Sequence, residues 1–389
     1  MTQFEDIAAS EEQFQLATYK KMPIAAERGE GVWIYTSGGD KYLDLYGGHA
    51  VAGTGHCHPH VVNALRAQAG ELLFYSNLVY SNARARAAEK LISIAPDELT
   101  KAFFCNSGTE ANENAMRMAR MATGREQIIT FSGGFHGRTA DAISATFLGK
   151  YRELGKPNVP GHLEAKFGDI ESVHGLAGET VAAIMLEPIQ SMAGVRMTEP
   201  EFYRDLRALC DERGIVLIYD EVQTGVGRTG EWFFAGSAAG DRVVPDIVTL
   251  AKALGSGVPV GACLVTDAIA SHIKENDLGT TFGGGMLAMA AVTATLEAIE
   301  NDRMLENVNT VEAHLRQRIR EVEQVVAVHG RGLLLGIEFN DKAQPFHKAL
   351  LDQKIITGTS SNAKVLRLLP PLCLEKEHVD LFVDALCTC

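Results

Sequence analysis

The sequence predicts an α/β protein, with one large layered domain around a mostly parallel, buried sheet and a smaller α+β domain. Three observations predict it. Short apolar runs of about four to six residues alternate with stretches of helical period, as in strands covered by helices on both faces. Hydrophobic residues make up 46% and charged residues 22% of the 389 residues, a globular balance with length for two domains. After Asn301 the alternation gives way to a long amphipathic helix followed by several strands.

The elements follow in order. A short helix is expected over Glu12 to Thr18. A hairpin follows, with Val32 to Tyr35, a turn at Ser37-Gly38-Gly39-Asp40, and Tyr42 to Leu45. Helices are expected over 59–73, 84–94, 109–121, 200–212 and 286–300. Between them lie apolar strands over 102–105, 127–131, 181–186, 215–219, 247–250 and 262–265. The C-terminal part should contribute strands over 325–329, 333–338 and 365–368 and a last helix from Lys376. We expect a large domain at residues 46–290, with residues 1–45 and 291–389 forming the small one.

Composition narrows the function. Lys and Arg number 36 and Asp and Glu 49, a net charge of −13, which disfavours nucleic acid and anionic membranes as partners. Seven cysteines, an odd number lying mostly in apolar runs, suggest reduced thiols. The acidic start, Met1 to Glu12, lacks the pattern of a secretory leader, and no apolar run is long enough to span a membrane. A cytoplasmic protein is expected. Glycine is in surplus, 38 residues, and should mark tight turns and close backbone approaches.

Two motifs mislead. Gly225-x-Gly227-x-x-Gly230 follows a strand, but Glu231-Trp232-Phe233 does not begin the helix that a dinucleotide site requires. His56-Cys57-His58-Pro59-His60 offers neighbouring side chains that cannot all face one ion, so no metal is expected.

Four other segments carry chemistry. Phe103-Phe104-Cys105 runs through Asn106-Ser107-Gly108-Thr109 into a helix, a small polar turn whose free N–H groups suit a phosphate or serve as an ordinary cap. Ser132-Gly133-Gly134-Phe135-His136-Gly137-Arg138 presents an aromatic face and a cation. Asp220 and Glu221 end a buried strand, where ligands bind in α/β sheets. Lys252 follows a short apolar strand, and a lysine in an apolar site becomes a nucleophile.

Together these segments resemble the class III, or ω, branch of the fold-type I pyridoxal-phosphate aminotransferases, over nearly the whole chain. The runs that carry the resemblance are Asn106-Ser-Gly-Thr-Glu-Ala-Asn112, Gly134-Phe-His-Gly-Arg-Thr139, Glu187-Pro-Ile-Gln190, Asp220-Glu-Val-Gln-Thr-Gly225, Gly227-Arg-Thr-Gly230, Lys252 and Gly279-Thr-Thr-Phe-Gly-Gly284. The resemblance implies a seven-stranded main sheet and pyridoxal 5'-phosphate held on Lys252 as a Schiff base. It implies Asp220 on the pyridinium nitrogen, Gln223 near the ring hydroxyl, Phe135 stacked on the ring, and Gly108 and Thr109 around the phosphate. Glu187 would lie nearby as polar support. Thr281 would reach the phosphate of the neighbouring subunit in a homodimer with shared sites, with Thr280 beside it near substrate.

The acetylornithine/ornithine type looks nearest, through Gly-Phe135-His-Gly-Arg138-Thr and Leu-Arg367-x-x-Pro-Pro-Leu. Arg138 would then grip the carboxylate of the ω-amino substrate, and Arg367 the α-carboxylate of glutamate or 2-oxoglutarate. The alternatives are a 4-aminobutyrate or other ω-amine aminotransferase, an aminomutase, and a non-catalytic relative. Intact Lys252 and Asp220 speak against the last, and Arg367 against the aminomutase. Two places depart from the family. Ser191-Met192 stands where Gly-Glu is common, and that glutamate is thought to mask the arginine corresponding to Arg367. Gly285-Met286 stands where Asn-Pro is usual.

Overall fold

The computed structural model describes residues 3–389; Met1 and Thr2, the start of the segment read as lacking a leader, lie outside them. Near the N-terminus β1 (Ala26–Glu30), β2 (Trp33–Thr36) and β3 (Lys41–Asp44) form an antiparallel sheet. The hairpin register pairs Trp33 with Leu43 around the expected turn. The first helix spans Gln3–Phe14, earlier than its expected place.

The main sheet has seven strands: β4 (Leu99–Cys105), β5 (Gln127–Phe131), β6 (His162–Ala165), β7 (Val181–Leu186), β8 (Val216–Asp220), β9 (Ile247–Leu250) and β10 (Gly261–Thr266). Their order is β4-β10-β9-β8-β7-β5-β6. All neighbours are parallel except those of β10, which runs antiparallel to both β4 and β9. The central strands are apolar along their whole length because helices cover both faces; every residue of β7, β8 and β9 is buried. β6 escapes the sequence pattern because His-Leu-Glu-Ala has no apolar run and pairs on one side only, at the sheet's edge.

β4, β5, β7, β8 and β9 all point their C-terminal ends the same way, so the loops after them converge on one crevice. The helix Gly108–Thr123 begins there. Ser107 caps it by accepting the Glu110 N–H at 3.3 Å, and Gly124 ends it at φ +67°. Its Ala111, Ala115, Met116 and Ala119 are buried in one apolar cluster with strand residues Val216, Ile218, Ile247 and Cys263.

In the C-terminal part, β11 (Val325–Arg331), β12 (Leu334–Phe339), β14 (Gly358–Thr359) and β15 (Val365–Leu368) make a second antiparallel sheet. β13 (Ile355–Ile356) pairs in parallel with β3, which fastens the N-terminal hairpin to the C-terminal segment. Between β3 and the crevice the chain makes one left-handed turn. Gly47, Gly48, His49 and Ala50 have φ of 54°, 57°, 68° and 64°. For His49 and Ala50 that conformation costs about 1–2 kcal/mol each.

Among the described residues, no helix is long and apolar enough to cross a membrane, and the seven cysteines are free thiols.

Candidate active site

The crevice holds a cavity of about 460 Å3 lined by the segments singled out in the sequence. Gly108, Thr109, Phe135, Arg138, Glu187, Asp220, Gln223 and Lys252 all border it. Arg367, Thr280 and Thr281 do not. Arg367 is buried beside it, close enough for its charge to act on Lys252. The Thr280 hydroxyl accepts hydrogen bonds from Asn106 Nδ2 and the Gly283 N–H. Thr281 is exposed on the neighbouring surface.

Asp220 ends β8 and is 4% exposed. Its Oδ2 accepts from Asn112 Nδ2 at 2.7 Å and lies 2.8 Å from His136 Nδ1, while Oδ1 accepts the Val222 N–H. Asn112 is itself fixed, donating to the His136 carbonyl at 2.7 Å and accepting from Thr249 Oγ1 at 2.6 Å. Asn112, His136 and Thr249 form a buried frame, and sequence reasoning missed all three in this role. Asn112 and His136 lay in the quoted motifs, but nothing in their spacing said that both converge on Asp220.

Lys252 follows β9 and opens a short 3-10 turn, Lys252–Gly255, at φ +46°, strained for a lysine. Burial lowers its pKa, with the nearby Asp220 and Glu187 charges pulling the other way. Glu187 accepts the Phe135 N–H at 2.8 Å; burial, then Asp220, raises its pKa from 4.5 to about 7. Glu221 points elsewhere. It accepts the N–H groups of Phe234 and Ala235 and the Thr224 hydroxyl, anchoring the glycine run that follows.

The misleading motifs resolve as packing. A Cβ on Gly230 would lie 2.2 Å from Asn309 Oδ1 and one on Gly225 2.7 Å from the Leu250 side chain. These glycines let the chain pass close to its neighbours. The three imidazoles diverge, His56 to Asp44, His58 to Asp302 and His60 to Glu297, at 2.8, 2.9 and 2.7 Å.

Arg367, on β15, is 2% exposed. Nε donates to the Thr359 carbonyl at 2.7 Å, Nη1 to Ser191 Oγ at 3.0 Å and Nη2 to the Tyr46 hydroxyl at 2.7 Å. Burial lowers its pKa. Ser191, noted only as a departure, thus touches the guanidinium directly, and Tyr46 was not anticipated. Across the cavity, the Arg138 guanidinium sits 5.4 Å from the Tyr151 ring, which packs edge-on against Phe135.

The model of the class III aminotransferase family matches residues 14–389. The chain belongs to the class III aminotransferases. An acetylornithine aminotransferase of Methanopyrus kandleri is 41% identical over 371 residues, 95% of each chain. One from Methanocaldococcus jannaschii is 40% identical over 386 residues, 97% of this chain and 96% of the relative. Among solved structures, an ornithine aminotransferase from Toxoplasma gondii superposes with a TM-score of 0.93 at 26% identity, over 100% of this chain and 95% of that one. An acetylornithine aminotransferase from Elizabethkingia anophelis gives 0.85 at 27%, covering 100% and 99%.

As a class III aminotransferase the chain is a transaminase that uses pyridoxal 5'-phosphate. Its own residues fit that group. Gln223 Oε1 is buried at the cavity without a partner among the described residues, an acceptor waiting for a hydroxyl. The start of the helix Gly108–Thr123 supplies free N–H groups for an anion. Gly108 is confined as well, since a Cβ there would lie 2.9 Å from Val222.

Proposed function

We propose that this aminotransferase moves an amino group between an N-acetylornithine- or ornithine-like ω-amine and 2-oxoglutarate, in the cytoplasm and as a homodimer. The observation that carries the reading is a half-buried lysine and a framed buried aspartate on one cavity, with a buried arginine beside them. The names of the relatives supply the substrate class.

When bound, pyridoxal phosphate supplies an electron sink for the carbanion that forms as the substrate C–H bond breaks. Lys252 would hold the group through Nζ. Burial favours the neutral form of Nζ, which suits it to accept the proton released from the substrate carbon. Asp220 would hold a proton at the ring nitrogen, and Asn112 and His136 keep Asp220 in place. Gln223 would meet the ring hydroxyl, Phe135 would cover the ring face, and Gly108 and Thr109 would receive the phosphate. Glu187 supports the Phe135 backbone. Arg138 meets the far carboxylate of the ω-amine, and Arg367 the α-carboxylate of glutamate and 2-oxoglutarate.

Thr281 and Thr280 are proposed to act in the neighbouring subunit's site. What supports this is an apolar surface around them. Leu72, Leu73, Phe74, Tyr75, Leu78, Tyr80 and Phe282 are exposed, and Phe74 packs on Phe282 at 5.2 Å. Asn77 Nδ2 and Arg84 Nε donate to the Gly283 and Gly284 carbonyls, tying this surface to the threonine loop. We also propose the division into 46–290 and 1–45 with 291–389, supported by the pairing of β13 with β3.

A panel of amino donors with 2-oxoglutarate as acceptor tests the reading. N-acetylornithine or ornithine should be the preferred donor. Preference for 4-aminobutyrate would move the chain to the alternative ω-amine class, and turnover without any 2-oxoglutarate would make it an aminomutase.

A further inference from the structure

Arg367 is buried with only neutral hydrogen-bond partners. Its three hydrogen bonds go to a carbonyl, a serine and a tyrosine, and among the described residues it forms no ion pair. Glu187, the carboxylate whose field reaches it, accepts the Phe135 N–H instead. A buried guanidinium without a counter-ion is costly, so its charge is left for a ligand. Guanidinium has five N–H donors. With Nε and one N–H of each terminal nitrogen engaged, one N–H remains on each, a pair suited to a carboxylate.

The partners come from separate parts of the chain. Tyr46 follows β3, Ser191 follows β7, and Thr359 lies in β14 beside β15. Tyr46 can reach only because residue 358 is glycine. A Cβ there would lie 1.9 Å from the Tyr46 ring, and Gly358 is the residue paired with Arg367 across the two strands. On its other side the Tyr46 ring meets His49, centroids 4.8 Å apart, in the strained left-handed turn. The ring is therefore held between a bare backbone and an imidazole, with its hydroxyl on Nη2.

We propose that Tyr46, Ser191 and Gly358 form a neutral clamp that positions Arg367 and leaves its charge open to the carboxylate beside the reacting carbon. They are positioning residues that set the affinity for α-carboxylates. This inference rests on the carboxylate role given to Arg367 above.

The test is calorimetric binding of glutarate to the cofactor-loaded enzyme, set beside steady-state kinetics with 2-oxoglutarate. Tyr46→Phe should raise the glutarate Kd and the 2-oxoglutarate KM about tenfold, with kcat within about twofold, as expected for one hydrogen bond to a charged group. Ser191→Ala should raise both about fivefold and Ser191→Thr should restore them. Gly358→Ala should match Tyr46→Phe by displacing the ring. The half-reaction with pentylamine, which has no carboxylate, should be unchanged in all of them. Retained visible absorbance of the lysine-bound cofactor shows that the site is intact, and binding reports even if turnover is low. Arg367→Ala separates two failures. If it leaves glutarate binding unchanged, the role of Arg367 falls. If it weakens binding while Tyr46→Phe, Ser191→Ala and Gly358→Ala do not, the clamp alone falls. An equal loss with pentylamine would also overturn the clamp.

Discussion

Replacing Asn112 by alanine probes the frame that holds Asp220. The side chain is 2% exposed and makes three hydrogen bonds, to the Asp220 carboxylate, the His136 carbonyl and the Thr249 hydroxyl. A net hydrogen bond contributes about 1 kcal/mol between neutral partners and about 2 kcal/mol to a charged one, so the loss comes to about 4 kcal/mol. Stranding the His136 carbonyl and the Thr249 hydroxyl pushes it higher. Thr249→Val removes only one of these bonds and should cost about 1 kcal/mol. The double variant should cost no more than Asn112→Ala alone, because the pair shares that bond. Equilibrium urea unfolding measures all three. Cofactor-loaded Asn112→Ala should also lose roughly tenfold to a hundredfold in kcat, as a freed Asp220 carboxylate is poorly placed to hold the ring nitrogen. A loss below about 1 kcal/mol, or additive costs in the double variant, would refute the frame.

Three further outcomes follow. Glu187 has its pKa raised from 4.5 to about 7, mainly by burial, so it favours folding when protonated. Its contribution is full below pH 4.5 and lost as pH rises through about 7. The stability difference between wild type and Glu187→Gln should shift in the variant's favour across that window; a constant difference would contradict the burial. Gly137→Ala would put a Cβ 2.2 Å from Thr109 Oγ1 at φ +142°, and should weaken pyridoxal phosphate binding about tenfold or more in a fluorescence titration. Leu78→Asp and Phe282→Asp on the exposed apolar surface should yield monomers by light scattering, with activity lost alongside; active monomers would contradict shared sites.

Much of the fold was legible because the helices alternate with apolar strands whose ends are set by local chemistry. β5, β7, β9 and β15 fall on the expected residues, and the last helix begins at Lys376 as expected. β6 was not legible, since an edge strand buried on few positions needs no apolar run. The first helix lies earlier than expected, over Gln3–Phe14 with most of its residues exposed, so little burial marks its ends. In the site, residues that line the cavity from strand ends were readable because short motifs hold them. Tyr46, Ser191 and Thr249 were not, because their roles arise from contacts across long sequence separations. Glu221 shows the converse. It sits beside Asp220 in sequence, yet its alternate direction on the chain sends it to the Phe234 and Ala235 amides instead of the cavity.

The most direct measurement is a single half-reaction. Cofactor-loaded enzyme is mixed with glutamate, without an oxo-acid acceptor, and released 2-oxoglutarate is counted per chain. The wild type should release one equivalent, and Lys252→Ala, loaded with the same cofactor, almost none. Release absent from the wild type, or equal in Lys252→Ala, would contradict amino transfer through Lys252.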